Sequence, residues 1–336
     1  MRLAITGGKG GTGKSTIATA LSFELAKKFK VALIDVDVEC PDDHIILSIE
    51  RIKVKEVETL LPFFDLRSCK KCGKCSQTCR ENAIFFVKGK YPLLISQQCN
   101  GCGACINVCP ENTIKKDRQI IGSIYHGKLG TDFINSLNSS FFEINSAETL
   151  KNESNENVKE NIQKNFLLIS GEVEVGCEAT SLVVNSTRKH AEQLEQNFDI
   201  LIIDTPAGTH CNVISALTDI DLAIAVTEPT PFGAHDLELI LKLLEKIAEQ
   251  GFEPSKQASN QVVGKFKKYN SQTKIIINRS DIGDKNLIYH TVDPYGIEVL
   301  EEITYDKSFL ENYSKGIPVT NKKIEKIANY VGFLNE

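Results

Sequence analysis

The chain has 336 residues, which is enough for one large α/β domain and a smaller one. A net charge of −5 gives no electrostatic signal for nucleic-acid binding, and no apolar run approaches the about 18 residues that a membrane helix needs. Met1 leads directly into an apolar segment rather than a signal peptide, so we expect a cytoplasmic protein. The chain has eleven cysteines, and eight of them lie between Cys69 and Cys109. In the cytoplasm such clustering favours metal binding over disulfides.

The first predicted unit is a strand, a glycine-rich loop and a helix. Met1–Thr6 is a short apolar strand, and Ser15–Phe29 carries apolar residues at helical spacing. Residues 8–15 between them match the phosphate-loop pattern G-x-x-x-x-G-K-[ST], in which backbone N–H groups surround a phosphate at a helix N-terminus. The predicted nucleotide-binding residues are Gly8, Gly10, Gly11, Thr12, Gly13, Lys14, Ser15 and Thr16.

The predicted magnesium site combines this loop with the ends of two strands. Lys14 would contact the β- and γ-phosphates, and the Ser15 hydroxyl would bind Mg²⁺. The strand Val31–Asp35 ends in an acidic pair, so Asp35 is a predicted Mg²⁺ ligand; the alternative is a solvated acidic loop. Ile200–Asp204 is a second buried strand, and Asp204 at its end is a predicted Mg²⁺ ligand.

Residues 61–118 carry two runs of cysteines with the same spacing. The runs are Cys69-x₂-Cys72-x₂-Cys75-x₃-Cys79 and Cys99-x₂-Cys102-x₂-Cys105-x₃-Cys109-Pro110. This spacing predicts an inserted α+β ferredoxin domain with two [4Fe–4S] clusters, in which the fourth cysteine of each run binds the other cluster. The predicted ligand sets are Cys69, Cys72, Cys75 and Cys109 for one cluster and Cys99, Cys102, Cys105 and Cys79 for the second. The alternative is two zinc sites with four thiolates each.

The rest of the chain reads as strands alternating with helices. Two segments rich in polar residues, near residues 131–165 and 251–273, interrupt this pattern. We call them polar excursions and assign them no function. Gly208, after Asp204, could offer its N–H to the γ-phosphate as a switch. The remaining predicted strands are Phe166–Val173, Asp221–Thr227, Lys274–Asn278 and Glu298–Ile303. The remaining predicted helices are Glu178–Asn197, Gly233–Glu249, Asp306–Lys315 and Lys322–Val331.

These motifs together resemble one ATPase family. The loop with its additional Lys9, and the segments Asp35–His44, Asp204–Cys211, Thr227–Asp236 and Asn278–Asp281, resemble the MinD/Mrp-type ATPases with a deviant Walker A loop. With the cysteine runs, the chain resembles MinD-superfamily members that carry a two-cluster ferredoxin insertion. The resemblance implies a doubly wound, mostly parallel sheet formed by residues 1–60 and 119–336. It also implies Mg²⁺-dependent ATP hydrolysis and a nucleotide-dependent homodimer.

The resemblance also implies roles for single residues. Lys9 would cross the dimer to the partner's phosphates, Asp37 would orient or activate the water, and Asn278 would hydrogen-bond the base. The choice of adenine over guanine rests on the same resemblance, because N-[KR]-x-D also occurs in GTPases. The residues predicted to act in catalysis are Lys9, Lys14, Asp37 and Asp204.

Two further cysteines and the last helix allow alternatives. Cys177 and Cys211 lie twenty-seven residues before and seven residues after Asp204, offsets similar to those in the nitrogenase iron protein, where two cysteines per subunit hold a cluster that bridges the dimer. The alternative is two half-buried cysteines without a ligand. For the segment Lys322–Leu334, whose apolar residues share one face, we favour packing on the domain over membrane binding.

Three functions are compatible with this sequence. The favoured hypothesis is an ATPase whose nucleotide cycle gates electron transfer from ferredoxin-type clusters to an unidentified redox client. The first alternative is an ATPase that assembles or carries an iron–sulfur cluster or metallocofactor for a client protein. The second is a positioning or regulatory ATPase of the MinD type whose clusters sense redox state. None of the three predicts a nucleic-acid or membrane partner.

Overall fold

The computed structural model describes residues 1–130, 134, 155–249 and 273–335. In these ranges the strands are β1 (Arg2–Thr6), β2 (Val31–Asp35), β3 (Arg51–Phe64), β4 (Ile84–Phe85), β5 (Leu93–Leu94), β6 (Ile114–Gly127), β7 (Phe166–Val173), β8 (Ile200–Asp204), β9 (Leu222–Thr227), β10 (Thr273–Asn278) and β11 (Glu298–Ile303). The helices are α1 (Lys14–Ala26), α2 (Asp43–Ile46), α3 (Lys74–Thr78), α4 (Ala104–Val108), α5 (Asn155–Asn165), α6 (Thr180–Leu194), α7 (Cys211–Leu217), α8 (Pro231–Glu249), α9 (Asn286–Val292), α10 (Lys307–Ser314) and α11 (Lys322–Asn335).

One large, mostly parallel sheet organises the described residues. Its strand order is β11-β10-β9-β1-β8-β2-β7-β6-β3. All neighbours from β11 to β7 pair in parallel, whereas β6 pairs antiparallel with both β7 and β3. The prediction of a mostly parallel α/β sheet is therefore confirmed, and the antiparallel pair at one edge was not foreseen.

Both faces of the central parallel strands β1, β2, β8 and β9 are buried, because each face is covered by helices. In β1, Leu3 and Ile5 belong to a core beneath α1 and α11, while Ala4 between them belongs to a second core beneath α6 and α8. Strands that are buried on both sides read as continuous apolar runs, which is why the sequence revealed β2 and β8 so clearly. The carboxyl ends of β1, β2 and β8 lie side by side, and this edge carries the site described below.

One predicted polar excursion contains a helix. Residues 155–165 form α5, in which Ile162 is completely buried and Val158 packs against the same core. The end of this polar excursion is therefore a helix docked on the domain, because two apolar residues four positions apart suffice to dock an otherwise polar helix. Residues 131–133, 135–154 and 251–272 of the two excursions lie outside the described residues, and Thr273 already begins β10.

The cysteine runs are carried by a long antiparallel hairpin. β3 and β6 each have 14 residues and pair from Arg51 with Gly127 to Phe64 with Ile114. Only Gly122–Gly127 of β6 also pair with β7, so the outer half of the hairpin extends beyond the main sheet. The predicted boundaries 60/61 and 118/119 fall inside these strands. The cysteine segment (residues 65–113) thus continues from the ATPase sheet without a linker.

The last helix packs on the domain. Ile324, Ile327 and Val331 of α11 are buried in the core beneath α1, as predicted, but Leu334 is 47% exposed because it lies at the end of the helix. The prediction that this helix packs on the domain is thus confirmed. Among the described residues, no helix has both the length and the apolar character needed to cross a membrane.

This packing predicts different costs for two truncations in α11. Ile327→Ala should lower the free energy of unfolding by about 2–5 kcal/mol, because it leaves a cavity in the core. Leu334→Ala, the matched control at an exposed position, should change it by less than about 0.5 kcal/mol. Chemical denaturation of both variants measures the difference, and equal costs would contradict the docking of α11 through this face.

Candidate functional site

The phosphate loop joins β1 to α1 in a compact turn. Gly13 precedes α1 with φ of 93°, a left-handed conformation that favours glycine, and a Cβ there would overlap the Asn278 side chain. Lys14 is 7% exposed, and its Nζ donates a hydrogen bond to the Lys9 carbonyl at 3.2 Å. The lysine that should meet phosphate oxygens is thus held inside the loop by the loop's own backbone.

Asn278, the last residue of β10, forms hydrogen bonds that fix this loop. Its Nδ2 donates to the Thr12 carbonyl at 2.8 Å, and its Oδ1 accepts from the Arg279 backbone N–H at 3.0 Å. The predicted contact of Asn278 with the base stays a prediction. In this structure, the amide fixes the carbonyl next to Gly13 and thereby the shape of the phosphate loop.

Glu228 pairs with two cations at the edge of the site, and sequence analysis missed it. Its side chain is 8% exposed, with Arg279 Nη1 at 2.6 Å from Oε1 and Lys9 Nζ at 3.6 Å from Oε2. Lys9, predicted to reach a partner subunit, is therefore paired within its own chain in this conformation. Strand β9 ends at Thr227, so the position of Glu228 at a strand end was the available signal.

Three buried carboxylates meet at the ends of β2 and β8. Asp35, Asp43 and Asp204 each place one carboxylate oxygen within 4.8 Å of the others, and none is more than 1% exposed. Asp35 accepts backbone N–H bonds from Asp37 and Asp43, at 3.1 and 3.3 Å. Both oxygens of Asp43 and Oδ1 of Asp204 have no hydrogen-bond partner among the described residues. Oxygen ligands with unsatisfied lone pairs suit a hard cation such as Mg²⁺.

Sequence analysis named two of these three residues. Asp43 was missed as a ligand because it lies eight residues after Asp35, and only the turn before α2 brings it back to the strand end. Ser15, the third predicted ligand, lies close enough to the side chains of Asp204 and Asp42 to lower the pKa of both carboxyls. The structure thus brings Ser15, Asp35 and Asp204 together and adds Asp43.

Burial controls the ionisation of this site. It raises the pKa of Asp204 to about 7, although the Ser15 hydroxyl and the Lys14 charge oppose the shift. Burial and the neighbouring carboxylates also raise the pKa values of Asp35 and Asp43 well above their usual range. Burial raises the pKa of Asp37 to about 6, against the charge of Lys14. Asp37, the predicted water-activating residue, therefore titrates near neutral pH.

A cavity of about 460 Å³ opens beside the loop, a volume within the range of ligand pockets. It runs from the phosphate loop to the strand ends of β10 and β11. Its lining includes Gly11, Gly13, Lys14, Ser15, Thr16, Asp42, Asn278, Arg279, Tyr305 and Phe309. Five of the eight predicted residues of the phosphate loop therefore line one cavity with Asn278, and this cavity also has charged side chains and two aromatic rings in its lining.

Gly208, Cys177 and Cys211 belong to the segments that follow strands β7 and β8. The Gly208 N–H donates to the Gly7 carbonyl at 3.3 Å, so its predicted contact with a γ-phosphate stays a prediction. Cys211 is exposed at the start of α7 and Cys177 is half-buried. Their loops are joined, since Asn212 exchanges hydrogen bonds with Thr180 at 2.9 and 3.2 Å.

The eight clustered cysteines form two groups that exchange their fourth members. Cys109 lines the same small cavity as the first three cysteines of the other run, Cys69, Cys72 and Cys75. In the second group, burial raises the pKa of the Cys99 thiol, and nearby Cys102 and Cys79 raise it further. Burial likewise raises the pKa of Cys105 to about 11, with a contribution from Cys99.

The two runs are copies of one backbone unit. Each cysteine recurs 30 residues later (99 − 69 = 30), and the five-residue helices α3 and α4 follow Gly73 and Gly103, with φ of 76° and 72°. Asn82 and Asn112, three residues after the last cysteine of each run, have φ of 52° and 51°. The repeat is therefore structural as well as sequential.

The carboxylate site predicts a pH-dependent stability that Mg²⁺ reverses. Because the pKa of Asp204 is raised, the folded protein binds protons more tightly than the unfolded chain, and metal-free stability should fall as pH rises from about 5 towards 7. Mg²⁺ binds the deprotonated carboxylates, so its stabilising effect should grow over the same range. Thermal unfolding in EDTA and in Mg²⁺, from about pH 5 to pH 8, measures both trends.

Asp43→Asn provides the test variant and Glu39→Gln, an exposed carboxylate of the same loop, the control. Asp43→Asn should raise metal-free stability near pH 8 by about 1–3 kcal/mol, because it removes a buried charge without a partner, and should abolish the Mg²⁺ effect. Glu39→Gln should resemble the parent. Equal Mg²⁺ stabilisation of Asp43→Asn and the parent would exclude Asp43 from the metal site.

Comparison with known proteins agrees with this geometry. The family model of the CobQ/CobB/MinD/ParA nucleotide binding domain matches residues 3–319. The uncharacterized protein MJ0579 of Methanocaldococcus jannaschii is 32% identical over 332 residues, which is 98% of this chain and 97% of that protein. The septum site-determining protein MinD of Bacillus subtilis is 32% identical over 83 residues, 25% of this chain and 30% of that protein.

Among solved structures, MinD from Pyrococcus horikoshii in complex with Mg-ADP has a similar fold. The TM-score is 0.51 at 16% identity, over 99% of this chain and 96% of that chain. The sheet, the phosphate loop and the family match lead to one assignment. The chain belongs to the CobQ/CobB/MinD/ParA family and is a P-loop ATPase of the MinD/ParA type.

Proposed function

We propose that this ATPase uses its nucleotide cycle to gate the transfer of single electrons from two [4Fe–4S] clusters to a redox client protein. Each transfer oxidises a cluster by one electron and reduces the client by one. One observation carries the proposal: β3 begins at Arg51, eight residues after Asp43, and ends at Phe64, five residues before Cys69. A single strand thus joins the carboxylate site to the cysteines.

The cysteine segment has the chemistry of a two-cluster ferredoxin. Two groups of four thiols that exchange their fourth members are typical of that fold, whereas zinc sites usually have paired C-x₂-C units without a third and fourth cysteine in this register. Apolar residues pack around the thiols and would keep water from the clusters: Phe64, Ile84, Leu94, Ile106 and Ile114. The proposed ferredoxin domain, residues 61–118, therefore includes the outer ends of β3 and β6.

The nucleotide chemistry follows from the phosphate loop and the carboxylates. Asp35, Asp43, Asp204 and Ser15 would hold Mg²⁺, which neutralises phosphate charge when it is bound. When ATP binds, Lys14 would exchange its hydrogen bond to the Lys9 carbonyl for contacts with the β- and γ-phosphates. Asp37, whose pKa is about 6, is suited to accept a proton from the attacking water.

Dimerisation would depend on the ion pair of Lys9. In the proposed homodimer, Lys9 exchanges its 3.6 Å contact with Glu228 for the phosphates in the partner subunit, and Arg279 keeps Glu228 neutralised. Cys177 and Cys211 would then approach their copies across the dimer axis and hold a third [4Fe–4S] cluster. The hydrogen bonds of Asn212 to Thr180, which keep the two cysteine loops together, support this part of the proposal.

Contacts at the end of the hairpin that pairs with β7 would transmit the change between nucleotide states to the cysteine segment. Arg51 donates to Ser170 at 3.0 Å and pairs with Glu172 at 2.7 Å, and Ser170 is the register partner of Asp35 in the sheet. Ile49, between α2 and β3, packs so closely on Gly127 that a Cβ there would overlap it. A shift of α2 on Mg-ATP binding would therefore move both hairpin strands.

Cluster content is tested with paired cysteine substitutions. The parent, purified anaerobically, should contain about eight iron and eight sulfide per chain. Cys69→Ser with Cys109→Ser falls within one group and should leave about four iron. Cys69→Ser with Cys79→Ser affects both groups and should disrupt both clusters. Iron analysis and electron paramagnetic resonance distinguish the results; zinc without iron would refute the clusters, and the opposite pattern would refute the exchange.

Gating is tested by redox titration with ADP and with a non-hydrolysable ATP analogue. The reduction potential of the parent clusters should differ between the nucleotides by on the order of 60 mV, equivalent to a tenfold change in equilibrium. Lys14→Ala should lose the difference because it loses productive ATP binding. Asp37→Ala should keep the difference but hydrolyse ATP poorly, because only water positioning is lost. Identical potentials in the parent would refute gating and favour cluster assembly.

A further inference from the structure

The segment around the first cysteine run is strongly basic in an acidic chain. Residues 66–92 contain seven lysines and arginines and one acidic residue, a local charge of +6 (7 − 1), whereas the whole chain carries −5. Arg67 pairs with Asp65 at 3.1 Å. The other six define what we call the basic patch: Lys70, Lys71, Lys74, Arg80, Lys88 and Lys90.

The charges of the basic patch face solvent without neutralisation. Five of its residues are exposed, and Lys71 is half-buried with its Nζ 4.2 Å from the centre of the Tyr91 ring. Within the part of the chain that the structure describes, none of the six forms an ion pair with a carboxylate. The patch therefore presents positive charge to any protein that approaches the first cysteine group.

The internal repeat shows that the fold does not require these charges. Thirty residues later, the second run has neutral residues at the same positions: Asn100 for Lys70, Gly101 for Lys71, Ala104 for Lys74 and Pro110 for Arg80. Lys71 has a φ of 53°, a left-handed conformation that suits the glycine of the second run better than a lysine. A lysine held in that conformation, where the repeat has glycine, points to a role for its charge.

The basic patch also adjoins the thiols and an apolar surface. Lys70, Lys71 and Lys74 line the same cavity as Cys69, Cys72, Cys75 and Cys109. Nearby Phe85, Tyr91 and Leu93 are 58%, 45% and 62% exposed. Positive charge beside exposed apolar residues suits a small, transient protein interface, in which charge steers encounter and a modest apolar area is buried.

We propose that the basic patch docks a small acidic electron-transfer protein that reduces the cluster held by Cys69, Cys72, Cys75 and Cys109. This rests on the proposed function. The reduced centre of the donor loses one electron and the cluster gains it; no covalent bond forms or breaks. A protein donor fits better than a nucleic acid, which would use the charge and the exposed aromatic rings but would gain nothing from the adjoining thiols. The second group, whose run has Asn100, Gly101 and Ala104 where the first has lysines, would pass electrons onward.

The test replaces the patch lysines by the residues of the second run. The variant Lys70→Asn, Lys71→Gly, Lys74→Ala has residues that adopt the same backbone conformations in the second run, including glycine at the left-handed position. The control variant Lys28→Ala, Lys189→Ala, Lys322→Ala removes three exposed lysines of the ATPase domain and causes the same change in net charge. Isothermal titration calorimetry with an oxidised acidic [2Fe–2S] ferredoxin as the probe measures binding at ionic strengths of about 0.01 and 1 M, where the Debye lengths are about 30 and 3 Å.

The parent and the control variant should bind the ferredoxin at low salt and lose about tenfold or more in affinity at high salt. The patch variant should bind about tenfold more weakly at low salt and show little salt dependence. Absence of binding by the parent, or equal binding by the patch variant, would overturn the proposal. Patch-dependent binding of a single-stranded oligonucleotide without ferredoxin binding would overturn it as well.

Failure of docking can be distinguished from failure of the proposed function. Iron content and reduction by photoreduced deazariboflavin, an uncharged small molecule, report on the clusters alone and should be the same in all three proteins. A parent without iron–sulfur clusters refutes the proposed function. A patch variant with normal affinity for ferredoxin but a changed reduction potential refutes docking, because the lysines then only tune the cluster.

Discussion

Three carboxylates lie within 4.8 Å of one another in the interior, and the edge of the sheet that carries the site is built around them. Asp35 and Asp204 end neighbouring parallel strands, and Asp43 returns to them from α2. Burial removes hydration from Asp204 and raises its pKa to about 7, with smaller contributions from the charges of Asp42 and Asp37. Burial and the repulsion between neighbouring carboxylates also raise the pKa values of Asp35 and Asp43. A bound cation removes this conflict. Metal-nucleotide binding and local stability are therefore linked at this position.

The same edge of the sheet leads into the hairpin that carries the cysteines. Because Asp43 and Arg51 are separated by only a short helix and turn, a change at the carboxylates would, in the proposed mechanism, act on the first residues of a 14-residue strand. A β-hairpin transmits displacement along its length better than a flexible linker, since its backbone hydrogen bonds fix both strands. Charged residues such as Lys53, Lys55 and Glu58 also keep the exposed edge of β3 from pairing with other chains.

The cysteine segment is symmetric in backbone and asymmetric in charge. The backbone repeat, with left-handed residues at equivalent positions, serves the thiols and is present in both halves. Lysines beside the thiols occur only in the first half, where the second has Asn100, Gly101 and Ala104. The two proposed clusters would thus have similar ligands but different electrostatic surroundings. In the proposed transfer, electrons would enter at the cluster beside the basic patch and then pass to the other cluster.

The sequence alone determined the structural features that depend on residues close together in the chain. The phosphate loop, the buried strands β2 and β8 and the cysteine spacing all follow from residues close together in the chain, where period and motif decide the structure. Tertiary structure alone decided the contacts of distant residues: Asp43 with Asp204, Lys9 with Glu228, and β3 with β6, whose ends lie 76 residues apart (127 − 51). The alternation in β3 indicates a strand, but its register depends on a partner that no local pattern identifies.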